Sequence, residues 1–285
     1  MFVITGATGN TGSTAVKTLL AAGKKVRAVV RNATKAKPLA DLGAEVFVAD
    51  LNDQAALARA FEGAEGVSLI SAPDMGATNF IADRKALTEK QVHTLASVRA
   101  PHVVLLSSVG SQHAEGTGLI RTTYHLEQQL VAAGLAATFV RASFFVENWG
   151  AGLHPVKQDG VLPSFIRADQ AIPMSSTPDI GKALADALLE GPKGTKIVEL
   201  SGPVDVSPND VAATFAKILG KPVKVVEAPM SAVVPTFTSF GISQNIAELF
   251  QEMYEGIANG RVAPASGVRV RGTTSLETTL RALVG

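Results

Sequence analysis

Short apolar runs alternate with longer amphipathic stretches through the first half of the chain. The first run is Phe2 to Ile4, and from Thr14 onward the apolar residues recur with the spacing of one helical face. The same alternation predicts buried strands at 2–4, 25–30, 45–49, 67–70, 102–106 and 136–140. Helices are predicted between them at 12–22, 33–42, 53–61, 79–99 and 119–133. Strands that alternate with helices predict an α/β fold, with a doubly wound parallel sheet and helices on both faces.

The pattern changes after about residue 150, where prolines interrupt the loops. The later predicted elements are a helix at 179–190, a strand at 197–200, a helix at 209–219, a strand at 223–228 and an amphipathic helix at 243–259. We therefore predict a main domain over 1–150, to which 172–202 returns. A smaller C-terminal α/β lobe over 151–285 is expected to close a substrate cleft.

A glycine-rich turn, TGATGNTG at 5–12, joins the first strand to the first helix. Gly6 permits the tight turn, Gly9 lets the backbone approach a pyrophosphate, and Gly12 lets the helix pack closely on the strand. The helix N-terminus offers unpaired N–H groups to the phosphate. This context predicts a Rossmann-type dinucleotide-binding domain; the alternative is a turn in another α/β protein. The predicted cofactor-binding residues of the loop are Gly6, Thr8, Gly9, Asn10, Thr11 and Gly12.

A basic residue, Arg31, follows the second strand about twenty residues beyond the loop. In this fold an acidic residue at that place binds the 2′-hydroxyl of the adenosine ribose, whereas an arginine accommodates a 2′-phosphate. Asn32, Lys35 and Lys37 follow directly, and a guanidinium matches a phosphate through its bidentate fork. The sequence therefore favours NADP over NAD, with a solvated basic helix start as the alternative.

The other strand ends supply further candidate cofactor contacts. Asp50 is placed to meet the adenine amino group and Leu51 to flank the ring, because Asn52 or Asp53 serves better as the cap of the next helix. The fourth strand ends at the segment expected under the central ribose, and the fifth and sixth strands end at serines. Ligands in such sheets bind beyond the carboxyl ends of the strands. The candidates at these ends are Asp50, Leu51, Ser71, Ala72, Pro73, Ser107 and Ser143.

Composition narrows the classes of partner. The 285 residues carry a formal net charge of +1, so neither nucleic acid nor an anionic membrane is implied. The absence of cysteine excludes disulfides, thiolate metal sites and a cysteine nucleophile, and no His, Asp or Glu spacing suggests a metal. No apolar run approaches the ~20 residues of a membrane span, and the first strand leaves no room for a cleavable signal. We expect a soluble cytoplasmic protein.

Several stretches resemble the NmrA-like branch of the atypical short-chain dehydrogenases. The matching stretches are TGATGNTG at 5–12, VRAVVRN at 26–32, AD-L at 49–51, SFFVENW at 143–149, IPMSSTPDIGKAL at 172–184 and GTTSLETTL at 272–280. The resemblance implies a Rossmann domain that binds NADP(H). It also implies one of two activities, since some members reduce quinones, dyes or azo compounds and others are cofactor-sensing regulators without catalysis.

The catalytic pair of the wider superfamily, Tyr-x-x-x-Lys on the helix after the fifth strand, is absent. The only tyrosine there is Tyr124, and Gln128 stands four residues on. Aligning Glu127 with the glutamate common in the family places Leu119 and Thr123 at the two positions instead. Alcohol oxidation by that mechanism is therefore not expected. The catalytic residue stays unassigned, with Tyr124 and Ser108 as candidates.

Aromatic residues after the sixth strand provide a candidate acceptor pocket. Phe144, Phe145 and Trp149 are suited to stacking on a planar acceptor, with packing in the lobe as their alternative role. Hydride donation to a quinone needs mainly orientation and a dry, flat pocket. The sequence thus predicts an NADPH-dependent reductase of a small planar electron acceptor. The alternative is an NADP(H)-sensing regulator that binds a protein partner, and a homodimer is left open.

Overall fold

A large parallel sheet forms the centre of the protein. The computed structural model describes residues 1–265 and 267–285. The strands are β1 (Phe2–Thr5), β2 (Val26–Val30), β3 (Glu45–Val48), β4 (Gly66–Leu69), β5 (Val103–Ser108), β6 (Ala137–Ala142), β7 (Phe144–Phe145), β8 (Val161–Ser164), β9 (Ile172–Ser175), β10 (Thr195–Ser201), β11 (Asp205–Val206), β12 (Lys224–Glu227) and β13 (Val268–Arg271). Within the described residues, eight of them form the central sheet in the order β13-β10-β6-β5-β4-β1-β2-β3.

Helices cover both faces of this sheet. They are α1 (Asn10–Ala21), α2 (Ala33–Ala40), α3 (Gln54–Phe61), α4 (Phe80–Ser97), α5 (Arg121–Ala132), α6 (Leu153–Asp159), α7 (Thr177–Glu190), α8 (Pro208–Leu219), α9 (Val233–Ser239), α10 (Gln244–Ala258) and α11 (Leu276–Val284). Alternate strand residues face opposite layers, so Ile4 packs with α1 and α7 while Val3 packs with α3 and α4. Each fully buried aliphatic side chain contributes about 1.5–3 kcal/mol through lost contact with water. The predicted doubly wound α/β fold is confirmed.

The six strands predicted in the first half and the five helices predicted between them are all present, with ends that differ by a few residues. Local chemistry explains the helix starts: Asp53 Oδ1 accepts a hydrogen bond from the Ala56 N–H, as expected for a cap. Ser207 and Asp210 form a capping box at the start of α8.

The chain crosses between the central sheet and a smaller lobe more than once. The lobe has its own core, with β7, β9 and β11 in one small sheet and β8 and β12 in another. The segment 172–202 contributes β9 to the lobe but α7 and β10 to the central layer. β13 also pairs with β10, which the sequence did not predict. The division at residue 150 stays a prediction. Among the described residues no helix combines the length and apolar character needed to cross a bilayer.

Candidate cofactor and acceptor site

The three glycines of the first loop have different surroundings. Gly6 has a φ of +59°, and a Cβ there would lie 2.9 Å from the Ile70 carbonyl oxygen. A Cβ on Gly12 would lie 2.3 Å from the Gly6 oxygen. At Gly9, with a φ of −78°, a Cβ would meet only the Gly6 oxygen, at an ordinary 3.5 Å. Packing therefore requires Gly6 and Gly12 to be glycine but leaves the space beside Gly9 open.

The N-terminus of α1 is arranged to accept an anion. Gly9 is its N-cap, no side chain caps it, and its first turn has no acidic residue. Thr8 and Asn10 are exposed beside it, while Thr11 is buried. Unpaired N–H groups and the positive end of the helix dipole favour a phosphate at this place. The loop thus fits the pyrophosphate of a dinucleotide.

Arg31 stands exposed directly after β2 and has no hydrogen bond or ion pair within 1–265 and 267–285. Of its neighbours, Asn32 caps α2 and Lys37 pairs with Asp41 at 2.7 Å, whereas Lys35 is exposed and has no partner among the described residues. Asp50 lies close enough for the charge of Arg31 to act on it. The free guanidinium is therefore a basic group available to a 2′-phosphate at this end of the crevice, and Lys35 is a second one nearby.

Asp50 forms a small turn at the end of β3. Its Oδ1 accepts hydrogen bonds from the backbone N–H of Asn52 at 2.7 Å and from its side chain at 3.1 Å. These bonds, and then the charges of Arg31 and Lys90, hold the pKa of the Asp50 carboxyl below its usual range. The carboxylate is exposed and charged, and Leu51 is half-buried beside it. Both residues reach the edge where the sequence predicts the adenine.

The segment after β4 lies next to the glycine loop. Thr5 Oγ1 accepts a hydrogen bond from the Ile70 N–H at 2.8 Å, which fixes the end of β4 against the end of β1. Ser71 follows, and its hydroxyl accepts a hydrogen bond from Arg84 at 2.6 Å. Ala72 and Pro73 are exposed. These three residues therefore border the crevice, with the Ser71 side chain held by Arg84.

A buried polar network lies beneath the ends of β5 and β6. Arg141 Nη2 donates to Glu127 Oε2 at 2.6 Å and its Nε donates to Oε1 at 3.0 Å, with side-chain exposures of 5% and 1%. Ser107 Oγ lies 2.5 Å from Glu127 Oε1 and 3.0 Å from Ser111 Oγ, which in turn lies 2.6 Å from Thr123 Oγ1. The Ser107 side chain therefore faces the interior rather than the crevice. Removing one partner of a buried pair such as Glu127–Arg141 costs roughly 3–5 kcal/mol.

A cavity of about 250 Å³ opens at the carboxyl ends of β5 and β6. Its walls are mostly apolar and its described lining residues carry no ionisable side chain. The lining residues are Ser108, Val109, Ile120, Ser143, Phe144, Phe145, Asn148, Ile172, Pro173, Phe250, Met253, Ile257 and Val262. A neutral, planar, largely apolar molecule suits such walls.

The structure brings some of the predicted acceptor residues together and not others. Phe144 and Phe145 line the cavity, but Trp149 does not. Trp149 is 7% exposed in the core of the lobe, donates to Met174 Sδ at 3.4 Å and lies with its ring centroid 6.0 Å from that of Phe144. These contacts are those of the packing alternative, and the pocket role of Trp149 stays a prediction. Of the two catalytic candidates, Ser108 lines the cavity and Tyr124 does not.

The far wall of the cavity comes from α10, which sequence reasoning had only identified as an amphipathic helix. Phe250 on this helix stacks on Phe237 with ring centroids 4.4 Å apart. Loops from the ends of β4 and β5 hold α10 in place: Ser243 Oγ donates to the Ala77 oxygen at 2.6 Å, and the Gly116 N–H donates to Glu252 Oε1 at 2.7 Å. The apolar stripe of the helix was the available signal, but its partners are more than 100 residues away.

The chain is similar in sequence to known reductases over most of its length. The chain is 27% identical over 264 residues to quinone oxidoreductase 2 of Escherichia coli (strain K12), covering 91% of this chain and 89% of the relative. It is 23% identical over 254 residues to the NAD(P)H azoreductase of Xenophilus azovorans, covering 89% and 86%.

Solved structures share the fold. The Escherichia coli NADPH-dependent quinone oxidoreductase complexed with NADPH superposes with a TM-score of 0.84, 24% identity and 100% coverage of both chains. The triphenylmethane reductase of Citrobacter sp. complexed with NADP(H) gives a TM-score of 0.82 at 21% identity, with 99% and 100% coverage. The model of the NmrA-like family matches residues 1–271. The protein therefore belongs to the NmrA-like family.

Proposed function

We propose that the protein is an NADPH-dependent oxidoreductase that transfers hydride to a quinone-like, azo or related conjugated acceptor. The observation that carries this proposal is the cavity, which is mostly apolar and has no ionisable group among its described lining residues. It opens at the carboxyl ends of β5 and β6, the edge of the sheet at which such folds bind their ligands. The relatives named as a quinone oxidoreductase and an azoreductase support the same chemistry.

The proposed cofactor-binding residues lie at five strand ends, and each end contacts a different part of the dinucleotide. The loop of Gly6, Gly9 and Gly12 takes the pyrophosphate, and Arg31 takes the 2′-phosphate. Asp50 and Leu51 contact the adenine. The Ser71–Pro73 segment borders the central ribose, and Ser143 lies beside the nicotinamide. The predicted contact of the Ser107 side chain is not part of this proposal, because that hydroxyl is bonded to Glu127.

Bound NADPH supplies the hydride. The residues of this chain orient the acceptor: Phe144, Phe145 and Phe250 offer aromatic surfaces to a planar ring system. The apolar walls exclude water, which favours transfer between correctly oriented partners. A quinone that accepts one hydride and one proton becomes a hydroquinone while NADPH becomes NADP⁺, so only one proton has to be supplied.

The net source of the proton is solvent at the cavity mouth. The Ser108 hydroxyl, which donates to the Val109 oxygen at 3.0 Å, can only relay that proton, taking one from water as it gives one to the acceptor. The reduced quinone oxygen is a phenolate, and a phenol such as that of tyrosine ionises only at about pH 10, so solvent protonates it at neutral pH and no strongly acidic side chain is needed. Tyr124 does not line the cavity, and it is not followed by a lysine. We propose that turnover does not depend on it.

The test is NADPH oxidation followed at saturating NADPH with a panel of quinones, azo dyes and triphenylmethane dyes. We expect turnover with at least one class and a change of less than about tenfold in kcat/KM for Tyr124→Phe, below the ~10²–10⁴ lost with a true general acid. A collapse in Tyr124→Phe alone would restore the dehydrogenase mechanism. Binding of NADPH without turnover of any acceptor would instead favour the sensing regulator.

A further inference from the structure

Arg84, in the second turn of α4, is a cation without a charged partner. Its Nη1 donates to Ser71 Oγ at 2.6 Å, and across residues 1–265 and 267–285 the guanidinium has no other hydrogen bond and no ion pair. A guanidinium has five N–H donors and stays protonated in proteins, so most of its donors have no protein partner among the described residues. The side chain is half-buried, and this partial burial lowers the pKa of Arg84 because loss of water disfavours the charged form.

The position of Arg84 is fixed by the sheet. β1 and β4 are neighbours in parallel register, with Ile4 opposite Ser68. The Ile70 N–H donates a hydrogen bond to Thr5 Oγ1. The Ile70 carbonyl oxygen lies so close to the glycine loop that a Cβ on Gly6 would be only 2.9 Å from it. Ser71, which Arg84 holds, is the next residue. The guanidinium is therefore anchored one residue from the contact between β4 and the glycine loop, on the carboxyl edge of the sheet.

An uncompensated cation at such a place is stabilised by an anion that enters with a ligand. The crevice already offers exposed N–H groups at the N-terminus of α1, on the other side of the same β1–β4 junction. Of the anions in a dinucleotide, the pyrophosphate is the one located over the glycine loop, whereas the 2′-phosphate lies at the Arg31 end. Two separate positive groups would then face the same pyrophosphate from α1 and from α4.

We propose that Arg84 is a pyrophosphate-binding residue, oriented by Ser71, that completes the phosphate site from the side opposite α1. The inference rests on the proposed cofactor site and adds a residue that sequence reasoning did not identify. It predicts a difference between two arginines. Loss of Arg84 should weaken the affinity for NADPH and for NADH by a similar factor, whereas loss of Arg31 should change the ratio of the two affinities.

The experiment is calorimetric titration of NADPH and NADH into the full chain and three variants. Arg84→Met should weaken both cofactors by a similar factor, roughly 10- to 100-fold, because one charge-assisted contact is lost. Lys85→Met removes the same charge from the next, exposed residue of α4 and should leave both affinities within about twofold. Ser71→Ala keeps the charge but frees the guanidinium, so a smaller loss of a few-fold is expected for both cofactors.

Thermal unfolding without ligand shows whether each variant is folded. If Arg84→Met does not fold, Arg84→Lys carries the test, since it keeps the charge but loses the planar fork and should bind both cofactors more weakly. Unchanged affinity for both cofactors in folded Arg84→Met or Arg84→Lys would overturn the proposal. A loss of affinity for NADPH alone would also overturn the proposal. A variant that binds NADPH as tightly as the wild type but has a higher KM for acceptors that carry an acidic group would overturn it as well. Failure of the wild type to bind either cofactor would overturn the cofactor site itself, which is a distinguishable result.

Discussion

The two halves of the crevice are built in different ways. Most of the proposed cofactor half comes from the consecutive ends of β1 to β4, within the first 73 residues, and each contributes a short local segment. The exceptions are Ser143, after β6, and Arg84, on α4. The acceptor half is assembled from Ser108, the Phe144–Phe145 strand, the Ile172–Pro173 segment and a helix as distant as Phe250. Local chain geometry therefore determines the first half, and long-range packing determines the second.

This difference separates two kinds of specificity. A change in the lobe can reshape the acceptor wall without moving the glycine loop, because α10 contacts the strand-end loops but supplies none of the predicted cofactor contacts. A change in the loop acts on the cofactor whatever the acceptor is. If the two halves are separate, substitutions in one half should leave the properties of the other unchanged.

Gly9→Val should abolish measurable NADPH binding while the protein stays folded. The added side chain fills the place of the pyrophosphate but meets only the Gly6 oxygen of the protein, at 3.5 Å from its Cβ. Calorimetry with thermal unfolding measures both properties. Gly12→Val is the matched control: its Cβ would lie 2.3 Å from the Gly6 oxygen, so it should lower the unfolding temperature as well. Undiminished affinity in folded Gly9→Val would end the assignment of the loop.

Arg31→Ala should reduce the preference for NADPH over NADH by roughly 10- to 100-fold, corresponding to about 1.5–3 kcal/mol for one charge-assisted contact. The measurement is the ratio of the two dissociation constants. Lys37→Ala removes a nearby positive charge that is already paired with Asp41, and it should leave the ratio almost unchanged. Equal binding of NAD(H) and NADP(H) by the wild type would show that our interpretation of β2 is wrong.

Phe250→Ala should lower kcat/KM for planar acceptors by about tenfold and leave the NADPH dissociation constant unchanged. The substitution removes one aromatic wall and its stacking on Phe237, so the acceptor is held less firmly. Phe240→Ala is the control, since this neighbouring ring is 68% exposed outside the cavity. A weaker NADPH affinity in Phe250→Ala would show that the two halves are coupled after all.

The smallest effect concerns the opposite edge of the sheet, at His102, which precedes β5. Its side chain is fully buried, with Nε2 3.0 Å from Thr138 Oγ1, and burial lowers its pKa below the usual 6.5. Below about pH 6.5 the unfolded chain therefore binds more protons at this histidine than the folded protein does. The contribution of the neutral, buried His102 to stability is present above that pH and is lost as the pH falls. Between pH 7.5 and 5, the free energy of unfolding should depend less on pH in His102→Asn than in the wild type. His93 lies on the surface of α4, and His93→Asn should leave this pH dependence unchanged. An unchanged pH dependence in folded His102→Asn would contradict this.

The part of the molecule that could be predicted from the sequence follows the same division. The strand–turn–helix signal at Gly6 to Gly12 and the basic residue after β2 are local, so their positions in the fold were correctly expected. The sequence left Trp149 between a pocket role and packing in the lobe, because it does not show which way the helical turn after β7 faces. In the structure Trp149 does not line the cavity. The Glu127–Arg141 pair and the contact of Arg84 with Ser71 join residues 13 or 14 positions apart on different elements, and no periodicity reveals such pairs.

The return of the chain to the central sheet has a consequence for biosynthesis. α7 packs on α1 so closely that a Cβ on Gly181 would lie 2.5 Å from the Thr11 oxygen, and β13 is added to the sheet beyond β10. During translation about 170 further residues must therefore be synthesised before α7 can cover the apolar face around α1. Such long separations between contacting segments slow folding and prolong the exposure of apolar surface. The half-made chain is the state of this protein most exposed to aggregation, and the one that molecular chaperones would have to protect.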